Sequence, residues 1–165
     1  MRRWLWRTAW LLPAQALLLL LAGCLGGQLR PLPGLNQQLS RLGSSHDPAF
    51  TGQWLALIAA RQGREQVVLV NTRRQAPEPL PGLNRPDAQP LSVAVDGQGE
   101  RLALVRQLEG RTELVLYRRS LMSLQPIRIE PAGVPRQVNL STDGRVLAVE
   151  VSRGGLWQVD LLELP

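Results

Sequence analysis

Three glycines recur in step from residue 48 onward, and they constrain the fold more than any other feature of the sequence. When Ala56, Ala103 and Ala148 are superimposed, each is followed seven positions later by a glycine, at Gly63, Gly110 and Gly155. Apolar residues recur eleven and thirteen positions after each alanine, at Val67, Leu69, Leu114, Leu116, Val159 and Leu161. The alanines lie 47 and 45 residues apart. A period of this size predicts a repeat architecture in which each unit is one small group of strands.

Each repeat has the pattern of a β-hairpin, because two short apolar runs flank a polar turn that contains the recurring glycine. The runs are 55–58 and 67–70, then 102–105 and 114–117, then 146–151 and 156–161. The second and third repeats have a further strand in front, at 92–95 and 137–140, and each of these ends in an Asp-Gly turn. For the first repeat, the sequence leaves open whether such a leading strand is present. We predict an all-β fold of three antiparallel sheets, one per repeat, with Ala56, Ala103 and Ala148 in equivalent buried positions.

These segments resemble the WD40-like propeller repeats of TolB-type periplasmic proteins, which run strand, S-P-D-G, strand, R-x-G turn and final strand. The matching segments are 93–97, 100–105, 110–111 and 114–117 in the second repeat, and 139–149, 153–154 and 157–161 in the third. The turn proline and the aspartate before the R-x-G turn are absent. The resemblance implies a partial β-propeller over residues 48–165 and a protein-binding or scaffolding role. It transfers no catalytic residue, because its motif residues form turns and strands.

The first residues have the organisation of an export signal. A basic head is followed by an apolar stretch over 8–22 and then by Leu21-Ala22-Gly23-Cys24. This site resembles the lipobox of bacterial lipoproteins, in which the cysteine is acylated and the chain is cut just before it. The apolar stretch is shorter than the roughly 20 residues that span a bilayer. We therefore predict a helical signal peptide over residues 1–23 and lipidation at Cys24. The alternatives are an uncleaved anchor, or an ordinary signal with a chance cysteine.

Lipidation at Cys24 predicts an exported protein that a lipid anchor attaches to a cell-envelope membrane, at its periplasmic face. Leu25 stands where some bacteria use an aspartate to retain lipoproteins at the inner membrane, so its presence favours the outer membrane. The chain has a formal charge of +6, and three of its arginines, Arg2, Arg3 and Arg7, would leave with the signal. No basic stripe with interleaved aromatics is present, so we expect no nucleic-acid partner.

The sequence offers few groups for catalysis. His46 is the sole histidine and stands beside Asp47 in a predicted loop, where neighbouring side chains are not held as a catalytic triad. One histidine and one acylated cysteine leave no metal site, and no glycine loop precedes a helix. We expect no catalytic residue, no cofactor and no metal, and a binding role rather than an enzyme. The alternative is an envelope enzyme or small-ligand binder whose site forms at the assembled propeller face, which converging acids and arginines there would favour.

Residues 24–47 are predicted to be a linker. Leu35, Leu39 and Leu42 have helical spacing, which predicts a short amphipathic helix over 36–42 that packs on the sheets or lies on a membrane or partner. Closed propellers have about four to eight blades, so three sheets leave open flanks. We expect a head-to-tail homodimer of six sheets, a partner protein that covers the missing surface, or residues 25–47 folded back over the gap.

Overall fold

The structure is a computed structural model, and it describes residues 29–165. The predicted signal peptide and Cys24 lie outside the described residues. The described part begins with one short helix, which is followed by strands alone. These elements are α1 (Pro33–Ser40), β1 (Ser45–Thr51), β2 (Trp54–Arg61), β3 (Arg64–Asn71), β4 (Ala76–Glu78), β5 (Ala88–Val95), β6 (Arg101–Leu108), β7 (Arg111–Arg118), β8 (Ser123–Ile127), β9 (Val134–Leu140), β10 (Val146–Arg153) and β11 (Leu156–Glu163).

The strands form three antiparallel sheets that follow one another along the chain. Sheet 1 has the order β1-β2-β3-β4, sheet 2 the order β5-β6-β7-β8 and sheet 3 the order β9-β10-β11. This confirms the predicted all-β fold with one antiparallel sheet per repeat. The first repeat also has its leading strand, β1, which pairs with β2 and contains a bulge between His46 and Ala49.

The recurring glycines close the same turn in every sheet. In the β2–β3 hairpin, Gln62 has a φ of 53° and Gly63 a φ of 75°. The corresponding pairs are Glu109 and Gly110 in sheet 2, and Gly154 and Gly155 in sheet 3, all with positive φ. Two consecutive left-handed residues make the two-residue turn whose twist matches that of the flanking strands. Glycine adopts this conformation without the penalty of a Cβ, which explains why it recurs at the second turn position.

Neighbouring sheets pack face to face through two apolar cores. The first core joins sheets 1 and 2 and consists of Trp54, Ala56, Ile58, Val67, Leu69, Leu83, Val93, Val95, Leu102, Leu104, Val115 and Tyr117. The second core joins sheets 2 and 3 and consists of Ala94, Ala103, Val105, Leu114, Leu116, Val138, Leu140, Leu147, Val149, Val151 and Leu164. The leading strands of successive sheets are in contact, β1 with β5 and β5 with β9. The three sheets therefore form an arc with the leading strands on its inner side.

Helix α1 covers the face of sheet 1 that is turned away from sheet 2. Leu35 is buried there against the strand residues Leu55, Leu57, Ala59, Val68 and Val70, and Leu39 and Leu42 pack beside it. The helix begins at Pro33, before the predicted residue 36. Proline is well suited to the first helical turn, because the N–H group that it lacks would have no hydrogen-bond partner within the helix there. The predicted packing of this helix on the sheets is what the structure shows. Among the described residues, no helix has the length and apolar character needed to cross a membrane.

Two local predictions are wrong. Ala56 and Ala103 are completely buried, but Ala148 is partly exposed, because in the described structure no further sheet packs on its side of sheet 3. His46 lies in strand β1 rather than in a loop, because the chain there pairs with β2 and places His46 opposite Ile58.

Candidate functional site

The repeat positions that are buried in sheets 1 and 2 are exposed in sheet 3. Val67 and Leu69 are 3% and 0% exposed against sheet 2. The equivalent Leu114 and Leu116 are 2% and 1% exposed against sheet 3. In sheet 3 itself the equivalent residues Val159 and Leu161 are 69% and 72% exposed. An apolar strip that is core in two repeats is therefore surface in the third.

This strip belongs to a larger surface, which we call the open face and define as the side chains of sheet 3 that point away from sheet 2. Alternation along β10 directs Leu147, Val149 and Val151 into the second core, so Ala148 and Glu150 point to the other side. On β11, Leu161 lies opposite Ala148 and Val159 lies opposite Glu150. Trp157 is the next β11 residue on the same side of the sheet. Exposed apolar side chains that form one patch are unusual on a soluble protein and mark interaction surfaces.

The open face is not a simple copy of the two faces that pack on a following sheet. Glu150 occupies the position of Ile58 in sheet 1 and Val105 in sheet 2, both of which are completely buried. A buried carboxylate needs a positively charged or hydrogen-bonding partner. A surface that covers Glu150 therefore has to supply one.

A second departure lies in the turn between the first two strands of each sheet. Gly97 and Thr142 are equivalent by the 45-residue spacing of the second and third repeats. A Cβ at Gly97 would lie 2.7 Å from Thr142 Cγ2 and 2.9 Å from the Thr142 carbonyl oxygen. The turn of sheet 2 therefore approaches the turn of sheet 3 so closely that a side chain at Gly97 would collide with it. Thr142 carries a side chain at this position, which disfavours a further sheet stacked on sheet 3 in the same way.

Trp157 and Arg136 form the margin of the open face. The Arg136 guanidinium lies 5.0 Å from the centre of the Trp157 ring, a cation–π distance. Trp157 remains 52% exposed, and a groove of about 400 Å³ beside it is lined by Leu91, Ser92 and Val134 among others. This margin joins an aromatic ring, a positive charge and apolar side chains, the residue types that are enriched where proteins bind each other.

An ion pair holds β11, the strand that carries the apolar strip, against the rest of sheet 3. The Arg153 guanidinium contacts Asp160 through both carboxylate oxygens and also donates to Gln158 Oε1 at 3.1 Å. The hydrogen bond from Arg153 lowers the pKa of Asp160 and so favours the charged form of the carboxyl group. The open face is therefore built on a well-paired strand.

Another groove lies between the outer turns of sheets 1 and 2. It has a volume of about 530 Å³ and is lined by Glu65, Asp87 and Gln89 among others. His46 Nε2 lies 3.0 Å from Glu65 Oε1, and this hydrogen bond lowers the pKa of Glu65. Asp87 is likewise paired, with Arg85. Both carboxylates are stabilised in their charged forms, and neither has the raised pKa of a general acid.

A site formed at the assembled propeller face would lie on the inner side of the arc. Its groove follows the leading strands and is lined by Asp47, Phe50, Val95, Asn139 and neighbouring residues. Asp47 accepts a hydrogen bond from the Val93 main chain at 2.5 Å, so it serves to join sheets 1 and 2. Within residues 29–165, no group of three or more His, Cys, Asp or Glu side chains is arranged to hold a metal ion.

Known structures show where this architecture recurs, although no protein-family model and no curated protein sequence matches the chain. TolB from Acinetobacter baumannii superimposes with a TM-score of 0.54 and 14% identity over 71% of this chain. A puromycin-hydrolyzing peptidase from Mycobacterium tuberculosis gives 0.53 and 18% identity over 73% of it. The β-propeller domain of the Trilobed protease from Pyrococcus furiosus gives 0.48 and 16% over 73%.

The three sheets are blades of a partial β-propeller. The chain spans 29% of the TolB chain, 19% of the peptidase chain and 42% of the protease propeller. At such low identity the likeness shows the propeller fold alone, and the activity of the peptidase says nothing about this chain. A propeller blade packs on its neighbours through both faces, so a blade with one uncovered face offers a surface for protein contact.

The sequence indicated part of this site. Val159 and Leu161 belong to the repeat pattern, and the count of three repeats predicted an open flank. The importance of Glu150, Trp157 and Thr142 was missed, although comparison with the other two repeats position by position could have found it. Cys24, the predicted lipidation site, lies outside the described residues, and its modification stays a prediction.

Proposed function

We propose that this chain is a lipid-anchored protein of the bacterial cell envelope that binds a partner protein at the open face of sheet 3. The observation that carries the proposal is the exposure of Val159 and Leu161 at positions that are core in both other repeats. Apolar burial contributes about 25 cal/mol per Å², so covering this strip would be a substantial driving force for association.

Two features favour a different protein as the partner over a second copy added head to tail. The face of sheet 1 that such a ring would use is already covered by α1. Thr142 and Glu150 disfavour the stacking seen between the other sheets. A partner that presents an arginine or lysine opposite Glu150, within an otherwise apolar surface, would satisfy the carboxylate and favour the correct orientation.

Crosslinking at the open face tests the partner. We expect a photoreactive amino acid at Val159 of the full-length protein, in cells, to give a discrete adduct whose partner mass spectrometry identifies. The same group at Leu121, which is 63% exposed in the turn between β7 and β8, is the control and should give none. With the identified partner, Val159→Arg should weaken binding about tenfold or more, as for a central interface residue, and Leu121→Arg should not. Equal adducts at both positions would contradict the proposal.

The lipid anchor is tested separately. We expect mass spectrometry of the membrane fraction to show a mature chain that begins at an acylated Cys24. Cys24→Ala should leave the protein uncleaved at this site and without acyl chains, because no other cysteine is present in the sequence. A wild-type chain that still begins at Met1, or that is released without modification, would show that the lipid anchor is wrong, whatever the open face binds.

A further inference from the structure

Sheet 3 differs from sheets 1 and 2 at its outer edge as well as on its open face. In sheet 1, β3 is paired on its outer side by β4, and in sheet 2, β7 is paired by β8. In the part of the chain that the structure describes, β11 pairs with β10 and has no strand on its other side. Natural edge strands often avoid further pairing by means of a bulge, a lysine or a proline. Strand β11 has none of these three features, and it pairs with β10 over its full length.

The main-chain groups that β11 presents at this edge can be identified from its hairpin. The two-residue turn makes Arg153 and Leu156 a hydrogen-bonded pair, and such pairs alternate along an antiparallel ladder. Gln158, Asp160 and Leu162 therefore bond to β10. The N–H and C=O groups of Val159 and Leu161 point outward.

The equivalent groups in sheets 1 and 2 are satisfied, which supports this assignment. Val67, the counterpart of Val159, donates its N–H to Asn84 Oδ1 at 2.8 Å, and its carbonyl accepts from Asn84 Nδ2 at 2.9 Å. In sheet 2 the counterpart Leu114 is paired with Ile127 of β8. The same main-chain position thus finds a partner in both other repeats, once from a side-chain amide and once from a strand.

The two outer strands show what kind of segment fits there. Strand β4 has three residues and β8 has five, and both contain a proline, Pro77 opposite Val70 and Pro126 opposite Val115. Val70 and Val115 bond inward to their hairpin partners by the same alternation, so a proline opposite them loses no hydrogen bond. The outer position therefore accepts a short extended segment, with proline allowed at alternate residues.

We propose that the free edge of β11 binds an extended segment of a partner protein as a fourth, antiparallel strand of sheet 3. Residues of that segment lie opposite Val159 and Leu161 as Ile127 and Gln125 lie opposite Leu114 and Leu116. Main-chain hydrogen bonds provide the affinity, and side chains beside the apolar strip provide the selectivity. This inference rests on the proposed function for its biological partner, but the edge can be tested without that partner.

The probe is a fluorescently labelled peptide with the sequence of residues 121–128, which contains β8. We expect anisotropy measurements with the full-length protein in mild detergent to show saturable binding. Leu161→Pro removes the outward N–H, whereas Leu161→Val retains it. The proline variant should bind about tenfold more weakly, and the valine variant should match the parent. Proline is tolerated where a strand N–H faces solvent, so the melting temperature reports whether the fold is intact.

Peptide variants keep the test decisive if Leu161→Pro fails to fold. A methyl group on the Gln125 nitrogen blocks a hydrogen bond to the edge, and a methyl group on the Leu124 nitrogen points away from it. Binding should be lost for the first peptide and kept for the second. Equal binding of both peptides, or no binding of the parent peptide, would overturn the strand addition. Dimerisation through β11 that Leu161→Pro abolishes without peptide would overturn it too, because the occupant would then be a second copy.

These results separate the two proposals. A partner whose binding depends on Val159→Arg but not on Leu161→Pro supports the open face and rejects the fourth strand. If the peptide binds in the predicted pattern in detergent, but position 159 gives no crosslinked adduct in cells, the edge is supported and the proposed partner function is rejected.

Discussion

Replacement of Gly99 by alanine is expected to lower the free energy of unfolding by about 2–5 kcal/mol. Gly99 has a φ of 67°, where a side chain costs about 1–2 kcal/mol. A Cβ there would also lie 2.5 Å from Cε2 of the Trp54 ring. Trp54 is 3% exposed within the first core, so its ring has no free space to move into, and overpacking adds about 1–3 kcal/mol.

The matched control for this prediction is Gly110→Ala. Gly110 has a φ of 76°, and a Cβ there would meet nothing within 4 Å. This variant should therefore lose only the conformational part, about 1–2 kcal/mol. Urea denaturation of both variants measures the difference. Equal losses would mean that Trp54 does not pack on the turn of sheet 2.

Replacement of Ala103 by leucine is the second large effect, with an expected loss of about 1–3 kcal/mol in the free energy of unfolding. Ala103 is completely buried in the second core, where its small side chain faces sheet 3. A leucine would have to push the two sheets apart or adopt a strained rotamer.

The repeat provides its own control for Ala103→Leu. Ala148 occupies the same position one repeat later, but it lies on the open face and is partly exposed. Ala148→Leu should change the free energy of unfolding by no more than about 0.5 kcal/mol, as is usual at a surface. Denaturation of the purified protein without partner measures both variants. A large loss for Ala148→Leu would show that something covers the open face in solution.

Turn chemistry and periodicity explain how much of the fold could be predicted from the sequence. The glycines at 63, 110 and 155 each follow a residue that needs positive φ in the same two-residue turn, so their spacing reports the hairpins directly. Strand β1 was harder to predict, because Ser45–Thr51 contains a proline and a bulge, which interrupt the alternation of apolar residues. Its placement depends on the pairing with β2, a contact between segments that the local sequence does not describe.

The candidate site, too, could be predicted only in part from the sequence. The apolar character of Val159 and Leu161 is a property of the repeat and was visible in the sequence. Their exposure was not, because burial depends on whether another sheet packs on that side. The free N–H and C=O groups of β11 carry no sequence signal at all, since every residue except proline has both.

The sequence by itself determined that the chain forms three similar antiparallel sheets with tight glycine turns, because these features depend on local backbone conformation and on alternation along each strand. Only the tertiary structure decided which face of each sheet is covered. Helix α1 covers sheet 1, sheet 2 is enclosed between its neighbours, and the open face of sheet 3 remains exposed within the described chain. The physical reason is that the burial of a side chain depends on which element packs against it. Repeats with nearly the same sequence pattern therefore differ in burial, because packing in three dimensions gives each sheet different neighbours.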